Sequence, residues 1–159
     1  MNRFEKIISI LKEREITITF AESCTGGLLA KTFTDTPGVS SVFLGSVVTY
    51  ANSIKSELID VKEKTLEAHG AVSRETAYEM VKGAKSVFGA DVAVSVTGIA
   101  GPDGGSDEKP VGLVYMGLCR GEKVTVTELR IGSRGRTRDD IRCQAATTAL
   151  KAVLDEVRK

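Results

Sequence analysis

The stretch "ITITFAESCTGGLLAKTF" (residues 16–33) changes its period halfway along. Over 16–21 apolar or β-branched residues alternate as on a strand, and after Gly26-Gly27 the run "LLAKTF" reads as a helix. That helix should end before Pro37-Gly38. Between strand and helix lie Glu22, Ser23, Cys24 and Thr25. A helix start carries free N–H groups and a partial positive charge, so it suits a phosphate or a developing oxyanion. The plainer alternative is that Ser23 or Thr25 caps the helix. One cap needs one hydroxyl, however, and three potential nucleophiles in a row are surplus. Gly26 and Gly27 would let a ligand approach the backbone.

On either side of this stretch, strand and helix patterns alternate. Phe4, Ile7, Ile8 and Leu11 mark a first helix. "SVFLGSVVTY" (41–50) reads as an apolar strand buried on both faces. Asn52 is placed to cap a short helix carrying Leu58 and Ile59, and another short helix follows around Leu66. Ser73 caps a longer helix with Glu75 in its first turn, ending near Gly89. "DVAVSVTG" (91–98) is a strand, and "VGLVYMGLC" with "KVTVTELR" forms a hairpin around Arg120-Gly121-Glu122. A last helix from about Thr137 to Val157 presents Ile141, Ala145, Ala149 and Ala152. The order predicts an α/β fold: a three-layer α/β/α sandwich around a mostly parallel, mixed five-stranded sheet. Loops at the carboxyl ends of the parallel strands should form the site, which selects 22–27, 50–55 and 97–105.

The totals are those of one soluble globular domain spanning 1–159, with 42% apolar and 27% charged residues. A net charge of +1 and five phenylalanines without a basic–aromatic pattern argue against a nucleic-acid partner. No run approaches the roughly 18 apolar residues of a membrane span. Cys24, Cys119 and Cys143 have neither metal-ligand spacing nor an even count, which suits a reducing, cytoplasmic setting. The amino-terminal segment has charges inside its apolar pattern and reads as an amphipathic helix, not a signal peptide.

In "TYANSIKSEL" (49–58), Lys55 falls in a first helical turn, the wrong end for an ammonium. Its pKa should be depressed, and a neutral lysine can serve as a general base; the alternative is an ordinary solvated lysine. Tyr50, at the end of a buried strand, would have an anchored ring and a free hydroxyl, or be a plain core-edge tyrosine. In "VTGIAGPDGGSDEKPVG" (96–112), Thr97 offers a hydroxyl at a strand end. That glycine-rich loop lacks the endings of a P-loop or a dinucleotide fingerprint. His69, the only histidine, reads as a helix C-terminal residue. Cys24 is either a thiolate activated by the helix start or a small buried residue. Arg130, Arg134, Arg136, Arg138 and Arg142 form a basic cluster, either a solvated face or an anion site. A serine at a helix start, with a lysine and no histidine partner, points to a Ser-Lys hydrolase. The residues alone carry the reading to acyl transfer on an anionic ligand.

Together, "AESCTGG" (21–27), "TYANSIKSELIDV" (49–61), "GAVS" (70–73) and "TGIAGPDGG…KPVG" (97–112) resemble the CinA carboxyl-terminal domain family, the nicotinamide mononucleotide deamidases. The matches cover most of the chain in the family's order. The resemblance implies hydrolysis of the nicotinamide carboxamide to nicotinate mononucleotide and ammonia, with no metal and no organic cofactor. Without the larger amino-terminal domain of many such proteins, the chain looks like the stand-alone amidase. Ser23 would be the nucleophile and Lys55 its base, with Tyr50 and Thr97 positioning the substrate or sharing the proton network. Thr25, Gly26, Gly27, Thr97, Gly98 and Gly101 would contact substrate, its phosphate meeting the glycine-rich loop and an arginine. The family arginine sits in a Gly-x-Arg-x-x-x-Arg setting. Here "GRTRDDIR" (135–142) sets Gly135 one residue too early for Arg138, which is the best match but leaves Arg136 open.

The expected partners are a small pyridine nucleotide and further copies of the chain in a homo-oligomer, with neither nucleic acid nor membrane. One rival is a non-catalytic nucleotide- or protein-binding module linked to competence or DNA damage, since a fold can persist without activity. Another keeps the enzyme and makes Cys24 the nucleophile.

Overall fold

In a computed structural model describing residues 1–159, α1 (Arg3–Glu13) leads into β1 (Ile18–Glu22) and α2 (Leu28–Thr34). After a 3₁₀ turn at Val39–Ser41 come β2 (Phe43–Val48), α3 (Asn52–Ile59), α4 (Glu63–His69) and α5 (Arg74–Phe88). The chain closes with β3 (Val92–Gly98), β4 (Leu113–Arg120), β5 (Lys123–Arg130) and α6 (Arg138–Val157). The sheet order is β2-β1-β3-β4-β5, parallel through β2-β1-β3 and antiparallel from β3 to β5. This is the expected mixed five-stranded sheet between two helical layers. No helix is long and apolar enough to cross a membrane.

Strand alternation decides what each layer buries. Ile18 and Phe20 of β1, with Val92, Val94 and Val96 of β3, enter the main core with Phe33 of α2 and Ile141, Ala145, Ala149 and Leu150 of α6. Ala21 faces the other way, joining Ile59, Val61, Leu66, Met80 and Ala84 from the α3–α5 side. Ala152 is only half-buried at the rim of its helix stripe. Two capping boxes fix helix starts, Asn2 with Glu5 at α1 and Thr137 with Asp140 at α6. Ser73 caps α5 as expected, accepting from Thr76 N–H.

Two expectations need correction. β2 is an edge strand, shorter than 41–50 and not buried on both faces; Leu44 and Val48 are 46% and 45% exposed. An apolar run marks a strand but does not say whether both neighbours are present. The N-cap of α3 is Ala51, with no side-chain bond, and Asn52 is the first helical residue.

Glycines set how closely α5 approaches its neighbours. A Cβ on Gly83 would lie 1.8 Å from Ile59 O at the end of α3. Gly83→Ala should therefore push α3 outward and cost about 1–3 kcal/mol, as overpacking does. Thermal melting should show the loss, and an unchanged melting temperature would mean that the contact is soft.

Candidate active site

At the end of β1 the alternation assigns two consecutive residues to two tasks. Glu22 has the parity of Ile18 and Phe20, so its fully buried carboxylate turns toward α2. Its Oε2 accepts from Gly27 N–H at 3.1 Å and Leu29 N–H at 2.9 Å, and Oε1 from Ala30 N–H at 2.9 Å and the Ser46 hydroxyl at 3.1 Å. The N-cap of α2 is Gly27 at φ +101°, with no capping side chain of its own, so Glu22 caps this helix from the strand. Neither Ser23 nor Thr25 is the cap. The expected use of the helix N-terminus for an oxyanion is also overturned, because Glu22 already occupies those amides.

Ser23 falls on the opposite face, toward α3. Its N–H continues the parallel ladder to Val96 O at 2.9 Å. Lys55, fully buried in the first turn of α3, places Nζ 3.1 Å from Ser23 Oγ, 2.7 Å from Thr49 O and 2.9 Å from Tyr50 O. No carboxylate is among its partners. Burial lowers its pKa from 10.5 to about 8, the expected direction, with desolvation rather than the helix end as its cause. As an ammonium, Lys55 donates to all three oxygens. As a neutral amine, it keeps two N–H bonds to the carbonyls and turns its lone pair to the Ser23 hydroxyl.

A cavity of about 270 Å³ opens over this pair, where the carboxyl ends of β1, β2 and β3 meet α6. Ser23, Cys24, Tyr50, Lys55, Thr97, Gly98, Gly101 and Arg138 line it, with Ala71, Val72 and Asp103. Thr25, Gly26 and Gly27 do not line it. Thr25 is fully buried, and its Oγ1 has no partner. The Thr97 hydroxyl donates to Ala71 O at 2.8 Å and so ties the 70–73 segment to the cavity wall.

Tyr50 departs from expectation. The residue lies beyond the end of β2 and is 59% exposed, and its hydroxyl accepts from Arg138 Nη2 at 3.0 Å. Arg138 also donates from Nη1 to Gly101 O at 2.6 Å, so it spans two of the three loops. Arg138, not Arg136, faces the cavity. The five arginines are not one cluster: Arg130 pairs with Glu128 at 3.1 Å, and Arg142 donates to Cys24 O and Thr25 O. Burial pushes the Cys24 thiol up to about 11, against the activated thiolate. His69 ends α4, outside the cavity.

The roles of Glu22 and Arg142 went unread in the sequence. For Glu22 the signal was available, since its parity with Phe20 sends it to the α2 face. Glu22→Ala should strand three amides, each worth about 1–3 kcal/mol when buried without a partner. Glu22→Gln keeps an acceptor oxygen and should lose less. Urea unfolding of both variants measures the difference; equal losses would show that the carboxylate oxygens do not hold the joint.

Residues 2–157 match the family described as the CinA C-terminal domain. A CinA-like protein of Leptospira borgpetersenii is 48% identical over 156 residues, covering 98% of this chain and 37% of that protein. The chain thus spans little more than a third of that relative's length. The crystal structure of the competence/damage inducible protein CihA from Agrobacterium tumefaciens superposes with a TM-score of 0.94 at 40% identity, covering 99% of this chain and 94% of that one. A CinA superfamily protein from Klebsiella pneumoniae gives 0.91 at 29% identity, covering 99% of each chain. With this site carried on this fold, the chain belongs to the CinA C-terminal domain family.

Proposed function

We propose that the chain is an amidase that converts nicotinamide mononucleotide to nicotinate mononucleotide and ammonia. The observation that carries this reading is the Lys55 Nζ held 3.1 Å from Ser23 Oγ, buried and without a carboxylate. A non-catalytic binding module has no use for a lysine whose proton is made labile beside a hydroxyl at the mouth of a cavity.

In the proposed reaction, Ser23 Oγ attacks the carboxamide carbon while its proton passes to Lys55 Nζ. The carbonyl π pair moves onto oxygen. When the tetrahedral species collapses, C=O re-forms, the C–N bond breaks and the Lys55 proton goes to the leaving nitrogen, giving ammonia and a Ser23 ester. Water then attacks the ester and yields its proton to Lys55. The second collapse releases the carboxylic acid and returns the proton to Ser23. Arg138, reaching the cavity from the start of α6, offers a charge-assisted contact to the phosphate.

Ammonia release by purified protein tests the reaction. Ser23→Ala should abolish it in a folded protein, and turnover at the wild-type rate would remove Ser23 as nucleophile. Lys55→Arg should fail nearly as badly as Lys55→Ala, because arginine does not lose its proton at working pH. With a pKa of about 8, neutral Lys55 grows scarcer as pH falls. Below that value kcat/KM should drop about tenfold per pH unit, and above it level off. A profile flat from pH 6 to 9 would exclude Lys55 as the base. The same shift affects stability: the unfolded chain binds the extra proton between about 8 and 10.5, so stability from this group rises with pH across that window.

Nicotinamide riboside lacks the phosphate and should be the poorer substrate. Arg138→Ala should lower kcat/KM for the mononucleotide more than for the riboside. An equal loss on both substrates would show that Arg138 does not read phosphate.

A further inference from the structure

Following the amides from Ser23 onward shows which are in use. Gly26 N–H donates to Ser23 O at 3.0 Å and Leu28 N–H to Thr25 O at 2.9 Å. Gly27, Leu29 and Ala30 donate to Glu22. Cys24 N–H and Thr25 N–H directly follow the nucleophile and have no acceptor on another residue; of the two residues, Cys24 lines the cavity. Cys24 and Thr25 are nonetheless 6% and 0% exposed. Two adjacent unpaired amides in so covered a place are costly unless something uses them.

Arg142 bears on the same two residues from α6. Its Nε donates to Cys24 O at 3.0 Å and its Nη2 to Thr25 O at 2.9 Å, a fork across consecutive carbonyls. Thr25 O has a second partner in Leu28 N–H, but Cys24 O has only Arg142. The peptide plane between Cys24 and Thr25 therefore has one hydrogen bond in the protein. Holding Cys24 O against the guanidinium fixes the backbone of Cys24, and with it the direction of its own N–H at the cavity wall. Without Arg142 neither end of this plane is held, and the turn hydrogen bonds and the Glu22 cap would remain.

We infer that Cys24 N–H, on the lining of the cavity, is the oxyanion donor, and that Arg142, which holds the carbonyl of the same residue, is the positioning residue that fixes its orientation. This rests on the reading of Ser23 as nucleophile. The amide after the attacking residue is well placed to meet an oxygen bonded to the same carbon as Ser23 Oγ. Arg142 itself does not line the cavity, so its effect passes through the backbone of Cys24. A Cβ on Gly26 would sit 3.4 Å from Arg142 Nη2, so the turn and the guanidinium fit closely.

The test compares wild type, Arg142→Gln, Arg142→Lys and, as an exposed-arginine control, Arg134→Gln. The readouts are kcat, KM and the pH profile of ammonia release from nicotinamide mononucleotide. Arg142→Gln should lose about 10²–10³-fold in kcat, the scale of an oxyanion donor, with KM and the apparent pKa unchanged. A general loss of structure would move all three. Arg142→Lys should recover part of the loss, and it carries the test if the Gln variant does not fold. Arg134→Gln should match wild type. A folded Arg142→Gln with kcat within about threefold of wild type, or a loss wholly in KM, would overturn the inference.

If wild type releases no ammonia, the substrate reading fails by itself, and Arg142 is then judged on phosphonylation of Ser23 by a fluorophosphonate, followed by intact mass. In that step the Oγ–P bond forms, P–F breaks, fluoride leaves and the proton goes to Lys55. Labelling slowed by about tenfold or more in Arg142→Gln supports the inference, and equal rates refute it. A wild type that neither hydrolyses nor labels would overturn both readings.

Discussion

Lys55 is enclosed by protein, yet the groups that meet its amine are two backbone carbonyls and one hydroxyl. A carboxylate in any of those places would have held the proton firmly and raised the pKa instead of lowering it. One is close by in sequence: Glu22 precedes the very serine that Lys55 touches. Strand alternation keeps the two apart, sending the acid to α2 and the serine to α3. Each buried ionisable group then satisfies its bonds with neutral partners, Glu22 with three amides and a hydroxyl, Lys55 with carbonyls and Ser23.

The parallel register converts that local separation into a site. Glu22 pairs with Val48 on one side and Val96 on the other, so the chain leaves all three strands at nearly one level. The following residues, Ser23, Thr49 and Thr97, stand at the same carboxyl edge. The antiparallel hairpin extends the sheet beyond β3, and Leu113 O accepts from Ile99 N–H at 2.9 Å, anchoring the glycine-rich loop at its root. Arg138 then bridges Gly101 and Tyr50 across the top.

The three loops could be picked out from the sequence because strands and helices have different periods and sites gather at strand ends. Ser23, Lys55, Thr97 and Arg138 do share one cavity. What stayed hidden depends on neighbours that periodicity does not encode. Five arginines within residues 130–142 look alike in a string, and only the orientation of α6 separates Arg138 in the cavity from Arg142 beneath the Ser23 turn. An apolar run ending in Tyr50 implies a central strand and an anchored ring; as the continuation of an edge strand, the side chain has no layer to enter. Glu22 was hidden differently. Its location among reactive side chains drew attention to chemistry, although its parity with Phe20 marked it for the core.

Cys24 sits between the proposed nucleophile and the fully buried Thr25, covered to 6% exposure, with its thiol pushed up to about 11. At neutral pH such a thiol stays protonated, and oxidants and disulfide partners attack the thiolate. A sulfur directly adjoining the site is thus kept inert by its coverage. The chemistry at Ser23 should be indifferent to the redox state of its surroundings, with the exposed Cys143, away from the cavity, the thiol most open to reaction.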